Sequence, residues 1–285
     1  MEKRPYGNTK ELLSIIGFGG IVIAKMPQEE ANNLVSMAID RGINYFDVAP
    51  TYMDAEERLG IALKGKRDSV FLACKTEKRT KKEAWEALEN SLRLLHTDHF
   101  DLYQLHAMST DEDFEIAMGP NGAMETFISA REKGLIRYIG FSAHSAEVAL
   151  RLLDAFHFDS ILFPINWVNY FNSNFGPQVV EKAIEKGTAR LAIKAMAKTL
   201  IPEGYPRRYD KCWYLPVEEP DLASLALRFT LSQPITSAIP PGEPKFFKMA
   251  LDIAENFKPI TPEELEYLKE KAKGVEPIFK LRSIA

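Results

Sequence analysis

The chain has 285 residues, with 36 Lys and Arg against 40 Asp and Glu, a net charge of −4 and a pI near 5.9, and nothing in that balance favours nucleic acid or an anionic membrane surface. An apolar fraction of 46% with 27% charged residues is an ordinary globular composition with core enough to fold without staples. The start, MEKRPYGNTKELLS, has no apolar h-region, no apolar run is long enough to span a bilayer, and Cys74 and Cys212 fit no CxxC or metal-ligand spacing, so the expectation is a cytoplasmic protein without a bound metal.

Strand-like and helix-like patterns alternate along the chain. The predicted strands are Ser14–Gly19, Asn44–Val48, Val70–Lys75, Phe100–His106, Ile136–Ser142, Ser160–Ile165, Ala189–Met196 and Ser237–Ile239, short and rich in β-branched or aromatic residues as buried strands are. Between them lie amphipathic stretches with apolar residues three and four apart. PQEEANNLVSMAIDRG comes first, then KKEAWEALENSLRLLH, with Trp85, Leu88, Leu92 and Leu95 on one face. GAMETFISAREKG, AEVALRLLDAF, PQVVEKAIEKG and DLASLALRFTLSQ follow, and Gly42, Gly134 and Gly187 stand where helix C-caps are expected. The longest irregular stretch runs from Ala197 to Glu219, after the seventh strand, and a loop of that length is usually functional or mobile. TPEELEYLKEKAKG predicts a last helix, with Thr261 as N-cap and Glu264 completing a capping box.

This alternation predicts an α/β fold, a (β/α)8 TIM barrel forming a single domain over residues 1–285. A doubly wound open sheet is the competing architecture. It usually announces its dinucleotide with GxGxxG after an early strand, and the run Ile16-Gly17-Phe18-Gly19-Gly20 followed by Ile21 leaves that fingerprint incomplete.

Barrel enzymes carry their chemistry at the C-terminal ends of the strands. There the sequence NYFDVAPTY places Asp47 with Tyr52 in the following loop, VFLACK ends at Lys75, and FDLYQLH ends at His106. Taken singly, these residues read as a turn acid, a packing tyrosine, a solvated lysine and a structural histidine. Together, at one end of three neighbouring strands, they form a unit. Lys75 is the cation that makes a buried Asp47 tolerable. An ammonium near Tyr52 is expected to lower the phenol's pKa, so that Tyr52 protonates a carbonyl oxygen while His106 holds that oxygen. No side chain donates hydride, so a cofactor must supply it.

At these residues the chain resembles the aldo-keto reductases. NYFDVAPTY resembles that family's second-strand signature, VFLACKT and LYQLHAM its lysine and histidine strands, GLIRYIGFSAH its fifth-strand motif, and KRPYGNTKELLSIIGFGG its N-terminal β-hairpin and first strand. The resemblance runs in order from about residue 4 to about residue 250. It implies NAD(P)H-dependent reduction of a small-molecule aldehyde or ketone, with Asp47, Tyr52, Lys75 and His106 as the catalytic group. It further implies cofactor contacts from Gly20, Ile21, Ser142, Lys194, Met196, Pro240 and Gly242, and a C-terminal extra helix beside the barrel. Where the family commonly has Ser-Asn, this chain has Ser142-Ala143 and then His144; where it has Gln, this chain has Leu162 and Phe163. Asn166 is the nearby amide that can replace these contacts or simply end a strand. AIKAMAK resembles a branch in which Lys and Met replace the aromatic under the nicotinamide, a branch that often carries an iron–sulfur module; without a cysteine cluster, no such cluster is expected. After Ile239-Pro240 the usual Lys-Ser gives way to Pro241-Gly242, leaving Lys245 and Lys248 as the charges near an adenosine phosphate and predicting a weak preference for NADPH over NADH. From the long loop, Trp213 and Tyr214 are expected as substrate walls. Two other functions compete: a Schiff-base aldolase using Lys75 or Lys194, and a non-catalytic nicotinamide-binding module.

Overall fold

Period-two alternation sorts the strands of the computed structural model, which describes residues 1–281, into a lumen-facing row and a helix-facing row. A short antiparallel hairpin comes first, β1 (Lys3–Pro5) with β2 (Leu12–Ser14). Eight parallel strands follow: β3 (Phe18–Gly19), β4 (Tyr45–Asp47), β5 (Phe71–Thr76), β6 (Phe100–Met108), β7 (Ile136–Ala143), β8 (Ser160–Pro164), β9 (Ala189–Ile193) and, last, β12 (Ser237–Ile239). Their spatial order is their chain order. The ring closes where Ile16 bridges Ala238 in parallel, Gly17 N–H donating to the Ala238 carbonyl at 3.0 Å. All eight predicted strands are therefore present, and the TIM barrel displaces the open sheet, which cannot join its outer strands.

The lumen holds Tyr45, Ala73, Leu102, Leu162, Leu191 and Ile239, and the hairpin side plugs it with Tyr6 and Leu13. The intervening residues Phe46, Leu72, Cys74, Tyr103 and Leu105 face outward into the main apolar layer beneath the helices. That layer is built by α1 (Gln28–Asp40), α2 (Ala55–Ala62), α3 (Lys81–Leu94), α4 (Asp111–Met118), α5 (Ala123–Glu132), α6 (Ala146–Ala155), α7 (Trp167–Ser173), α8 (Pro177–Glu185), α9 (Pro220–Leu231), α10 (Pro244–Glu255) and α11 (Pro262–Ala272). Burying one large apolar side chain there contributes about 1.5–3 kcal/mol. Gly42, Gly134 and Gly187 take positive φ after α1, α5 and α8, and Thr261 and Glu264 form the expected capping box of α11.

The stretch after the seventh barrel strand departs from its reading as irregular. β9 stops at Ile193 because Lys194 turns into the left-handed region at φ 68°, and the chain then forms a second hairpin, β10 (Ala197–Leu200) with β11 (Tyr214–Pro216). Among the described residues no helix is long and apolar enough to cross a membrane.

Candidate active site

The lumen row turns polar at its C-terminal end. Tyr45 is followed two residues on by Asp47, Ala73 by Lys75, and Leu102 by Gln104 and then His106. Register aligns them: Asp47 pairs with Ala73, and Lys75 with Gln104. The Lys75 ammonium bonds directly to Asp47 Oδ1, both side chains being buried. The other carboxylate oxygen, Oδ2, accepts from Gln104 Nε2 at 2.9 Å and from the Tyr45 hydroxyl at 3.3 Å. A buried carboxylate with this many donors is held in one place; removing Lys75 leaves an uncompensated charge, and removing Gln104 or Tyr45 leaves an unsatisfied acceptor.

Tyr52 lies in the loop beyond β4, its ring 5.1 Å from the Lys75 ammonium and edge-on to the His106 ring at 6.0 Å and 88°. Burial pushes the Tyr52 phenol up, Lys75 opposes this through its charge and a hydrogen bond, and the net direction is upward. This corrects the expectation of a lowered value: desolvation outweighs the ammonium. The consequence is a tyrosine that keeps its proton through the neutral range. For Lys75, burial pulls the ammonium down but Asp47 and Tyr52 more than offset it, so it stays charged. His106 is pushed down to about 2, first by burial and then by Lys75, and is neutral. Its Nδ1 has no hydrogen-bond partner among the described residues, Glu77 Oε1 lying 3.6 Å away.

These four residues border one cleft. Ile21, Ser142, Lys194, Pro240 and Gly242, the residues expected at the cofactor, line it, and so do Trp213 and Tyr214, expected at the substrate. Five other residues expected at the cofactor are not among those that line this cleft. Asn166 is fully committed: its Oδ1 accepts from Asn169 N–H at 3.0 Å as the cap of α7, and its Nδ2 donates to the carbonyls of Lys194 and Ala197, each at 2.8 Å. Met196 is buried in the core. Gly20 packs on Val48. Lys245 and Lys248 are exposed on α10, with Lys245 Nζ 3.8 Å from Glu218 Oε2. Ser142 turns its hydroxyl to accept the Ala107 N–H at 2.8 Å, so it supports the segment that carries His106.

Other residues of the site were not singled out from the sequence: Tyr45 and Gln104, whose signal was their place in the lumen-facing alternation, and Lys211. The Lys211 ammonium donates to the Val22 carbonyl at 2.7 Å, and its backbone N–H donates to Glu243. The C-terminal segment also reaches the site. Phe279 stacks on His144 at 5.1 Å and meets Trp213 edge-on.

The cleft carries features that a dinucleotide would use. At Gly242 a Cβ would fall 2.8 Å from Ile21 Cγ2 and 3.2 Å from Lys211 Cβ, so the wall is drawn in where only glycine leaves room. Beside it α10 begins without a side-chain cap, a setting that favours an anion, although Pro244 has no N–H and the Phe246 N–H donates to the Glu243 carbonyl at 3.0 Å; Lys211, which lines the cleft, adds positive charge.

The Aldo/keto reductase family model matches residues 15–273. The chain belongs to the aldo/keto reductase family. A curated relative, the uncharacterized oxidoreductase YqkF of Bacillus subtilis, is 26% identical over 96% of this chain and 97% of its own length. The aldo-keto reductase AKR11C1 from Bacillus halodurans, in its holo form, superposes with a TM-score of 0.76 at 26% identity, covering 97% of this chain and 98% of that one. An aldo-keto reductase from Klebsiella pneumoniae in complex with NADPH shares the fold, with a TM-score of 0.74 at 20% identity over 100% of both chains. As an aldo/keto reductase the chain is an NAD(P)H-dependent carbonyl oxidoreductase.

Proposed function

We propose that the protein reduces a small aldehyde or ketone to the alcohol with Tyr52 as the acid, drawing on NADPH in preference to NADH. The observation that carries this reading is the buried Asp47–Lys75 pair set against a protonated Tyr52, with a neutral His106 ring edge-on to it. Ile21, Pro240, Gly242, Lys211 and the start of α10 would hold the cofactor, which supplies hydride when bound. The chain's own part is acid catalysis and positioning. A carbonyl oxygen between the Tyr52 hydroxyl and the His106 ring is held by two hydrogen bonds. As that oxygen gains negative charge, the Tyr52 O–H bond breaks and its proton moves to the oxygen. Lys75 then stabilises the phenolate, and Asp47 keeps the ammonium in place. Because the phenol's resting pKa is raised, the proton leaves only when a stronger base forms beside it.

An aldolase would need a lysine that is a free amine; Lys75 is held as an ammonium by Asp47, so that alternative rests on Lys194, which burial pushes down to about 8. A reducing compartment such as the cytoplasm suits Cys74 and Cys212, both buried and unpaired. The test is steady-state NADPH oxidation across a panel of aldehydes and ketones, with borohydride trapping alongside. Carbonyl-dependent NADPH consumption with no trapped adduct is expected. A borohydride-trapped lysine adduct without NADPH turnover would support the aldolase instead.

A further inference from the structure

Lys194 is a second, partly buried lysine at this cleft, and the acid chemistry does not use it. It follows the last residue of β9 in left-handed backbone, a conformation sparsely populated by residues with a Cβ and retained where the surroundings enforce it. Asn166 enforces it by bonding the Lys194 carbonyl at 2.8 Å, and Ala197 N–H adds a second bond to that carbonyl at 2.9 Å. The side chain then lines the same cleft as Tyr52 and His106. Its ammonium lies 5.0 Å from the ring centroid of Trp213 and 4.9 Å from that of Tyr214.

Ring faces attract an ammonium but accept none of its three hydrogen bonds in the way an oxygen does. Among the described residues Lys194 has no carboxylate within ion-pair distance and no acceptor for its Nζ. Among the described residues that line the cleft the one carboxylate, Asp47, is fully engaged by Lys75, Gln104 and Tyr45. The third lysine, Lys211, is bonded to Val22 and stands beside Gly242 and the start of α10, where phosphates fit. Lys194 instead keeps company with the aromatic pair expected to wall the substrate. Burial pushes its ammonium down to about 8, a cost that an anion placed against it would relieve.

We infer that Lys194 is an anion-recognition residue, and that the substrates suited to this pocket are carbonyl compounds carrying a carboxylate, which pairs with the Lys194 ammonium while Tyr52 and His106 engage the carbonyl oxygen. This rests on the carbonyl-reductase reading above.

The experiment compares ω-oxo carboxylates of two to six carbons with their methyl esters, measuring kcat/KM for each pair in the wild type, Lys194→Met and Lys194→Arg. NADPH dissociation constants are taken in parallel by fluorescence titration. At the best chain length the wild type should favour the carboxylate at least tenfold over its ester, chiefly through KM. Lys194→Met should bring that ratio close to one, and Lys194→Arg should restore part of it. Taking the ratio within each variant divides out any general loss of activity, and NADPH affinity should stay within a few-fold. A wild-type ratio near one at every length overturns the inference and leaves the carbonyl-reductase reading standing. So does a ratio unchanged in Lys194→Met, and so does a loss matched by the loss of NADPH affinity, which would place this charge at the cofactor. Failure to reduce any of these compounds or any aldehyde of the wider panel overturns the underlying reading, and the inference with it.

Discussion

The Arg79 guanidinium donates to the backbone carbonyl of His106 at 2.6 Å, while Asp113 anchors the same guanidinium at 2.7 Å. The next residue, Ala107, has φ 54° and gives its N–H to Ser142. His106 is thus fixed from both sides by groups that need not touch a substrate. Arg79→Met should lower kcat/KM for a reactive aldehyde about tenfold, which corresponds to about 1.4 kcal/mol and is the scale of one charged hydrogen bond. Asp113→Asn should produce a smaller fall in the same direction. Unaltered steady-state kinetics in Arg79→Met would show that His106 is held without it.

Lys75 and Asp47 form one buried unit, so single substitutions should be costly and non-additive. Asp47→Asn strands a buried ammonium and should reduce stability by about 3–5 kcal/mol, read from urea unfolding. Lys75→Met should reduce kcat more than Asp47→Asn, because it removes the charge that stabilises the phenolate itself. In a double-mutant cycle the coupling should exceed about 0.5 kcal/mol. Strict additivity would contradict the direct contact.

Acid sensitivity follows from the two cleft histidines. His144 is pushed down to about 4 by burial and by Lys194, and His106 to about 2. Both folded-state values lie below the unfolded value of about 6.5, so below that pH the unfolded chain binds more protons and folding stability falls as pH drops. The window runs from about pH 6.5 down toward about pH 4 for His144 and lower still for His106. Each histidine contributes a slope of about 1.4 kcal/mol per pH unit once protonated in the unfolded state. Chemical denaturation at pH 7, 6 and 5 should show this fall, and His144→Gln should flatten it. A slope identical in the variant would show that His144 is not buried in neutral form.

The NADPH preference is expected to be modest. Lys245 is exposed on the first turn of α10 and lies near Glu218, so its attraction to an adenosine phosphate is shared and screened. A preference of about tenfold over NADH is expected, shrinking in Lys245→Ala and at high salt. Tighter binding of NADH than of NADPH by the wild type, measured by fluorescence quenching, would show that Lys245 and Lys248 do not reach the phosphate.

The sequence made the barrel legible because buried parallel strands are continuous apolar runs, and a charged residue at the end of one is conspicuous. Asp47, Lys75 and His106 stood out for that reason. Gln104 and Tyr45 did not, since a polar group inside an apolar strand carries no sign of which face it occupies until the barrel closes. The short helices α2, α4 and α7 were missed. In α2 the helix contains Gly60, which reads as a breaker, yet a Cβ there would fall 2.6 Å from the Leu94 carbonyl oxygen, so the glycine serves a close helix contact. The β10–β11 hairpin was hidden because its strands are three and four residues long, separated by a Pro-, Arg- and Tyr-rich segment, and stabilised partly by distant residues such as Ile278. Asn166 was legible as a strand-end amide, but its target was not. Only the folded turn shows that both its donor hydrogens go to the backbone around Lys194 and Ala197.

The most direct test of the catalytic account is kcat and cofactor affinity in Tyr52→Phe. The substitution keeps the ring against His106 and removes only the hydroxyl, whose proton is needed as the oxyanion forms. Reduction of a reactive aldehyde should fall by about 10²–10⁴-fold, the usual worth of a positioned general acid, while the NADPH dissociation constant stays within a few-fold. A variant that keeps most of its kcat would contradict the assignment of Tyr52 as the acid and with it the role given to the Asp47–Lys75 pair.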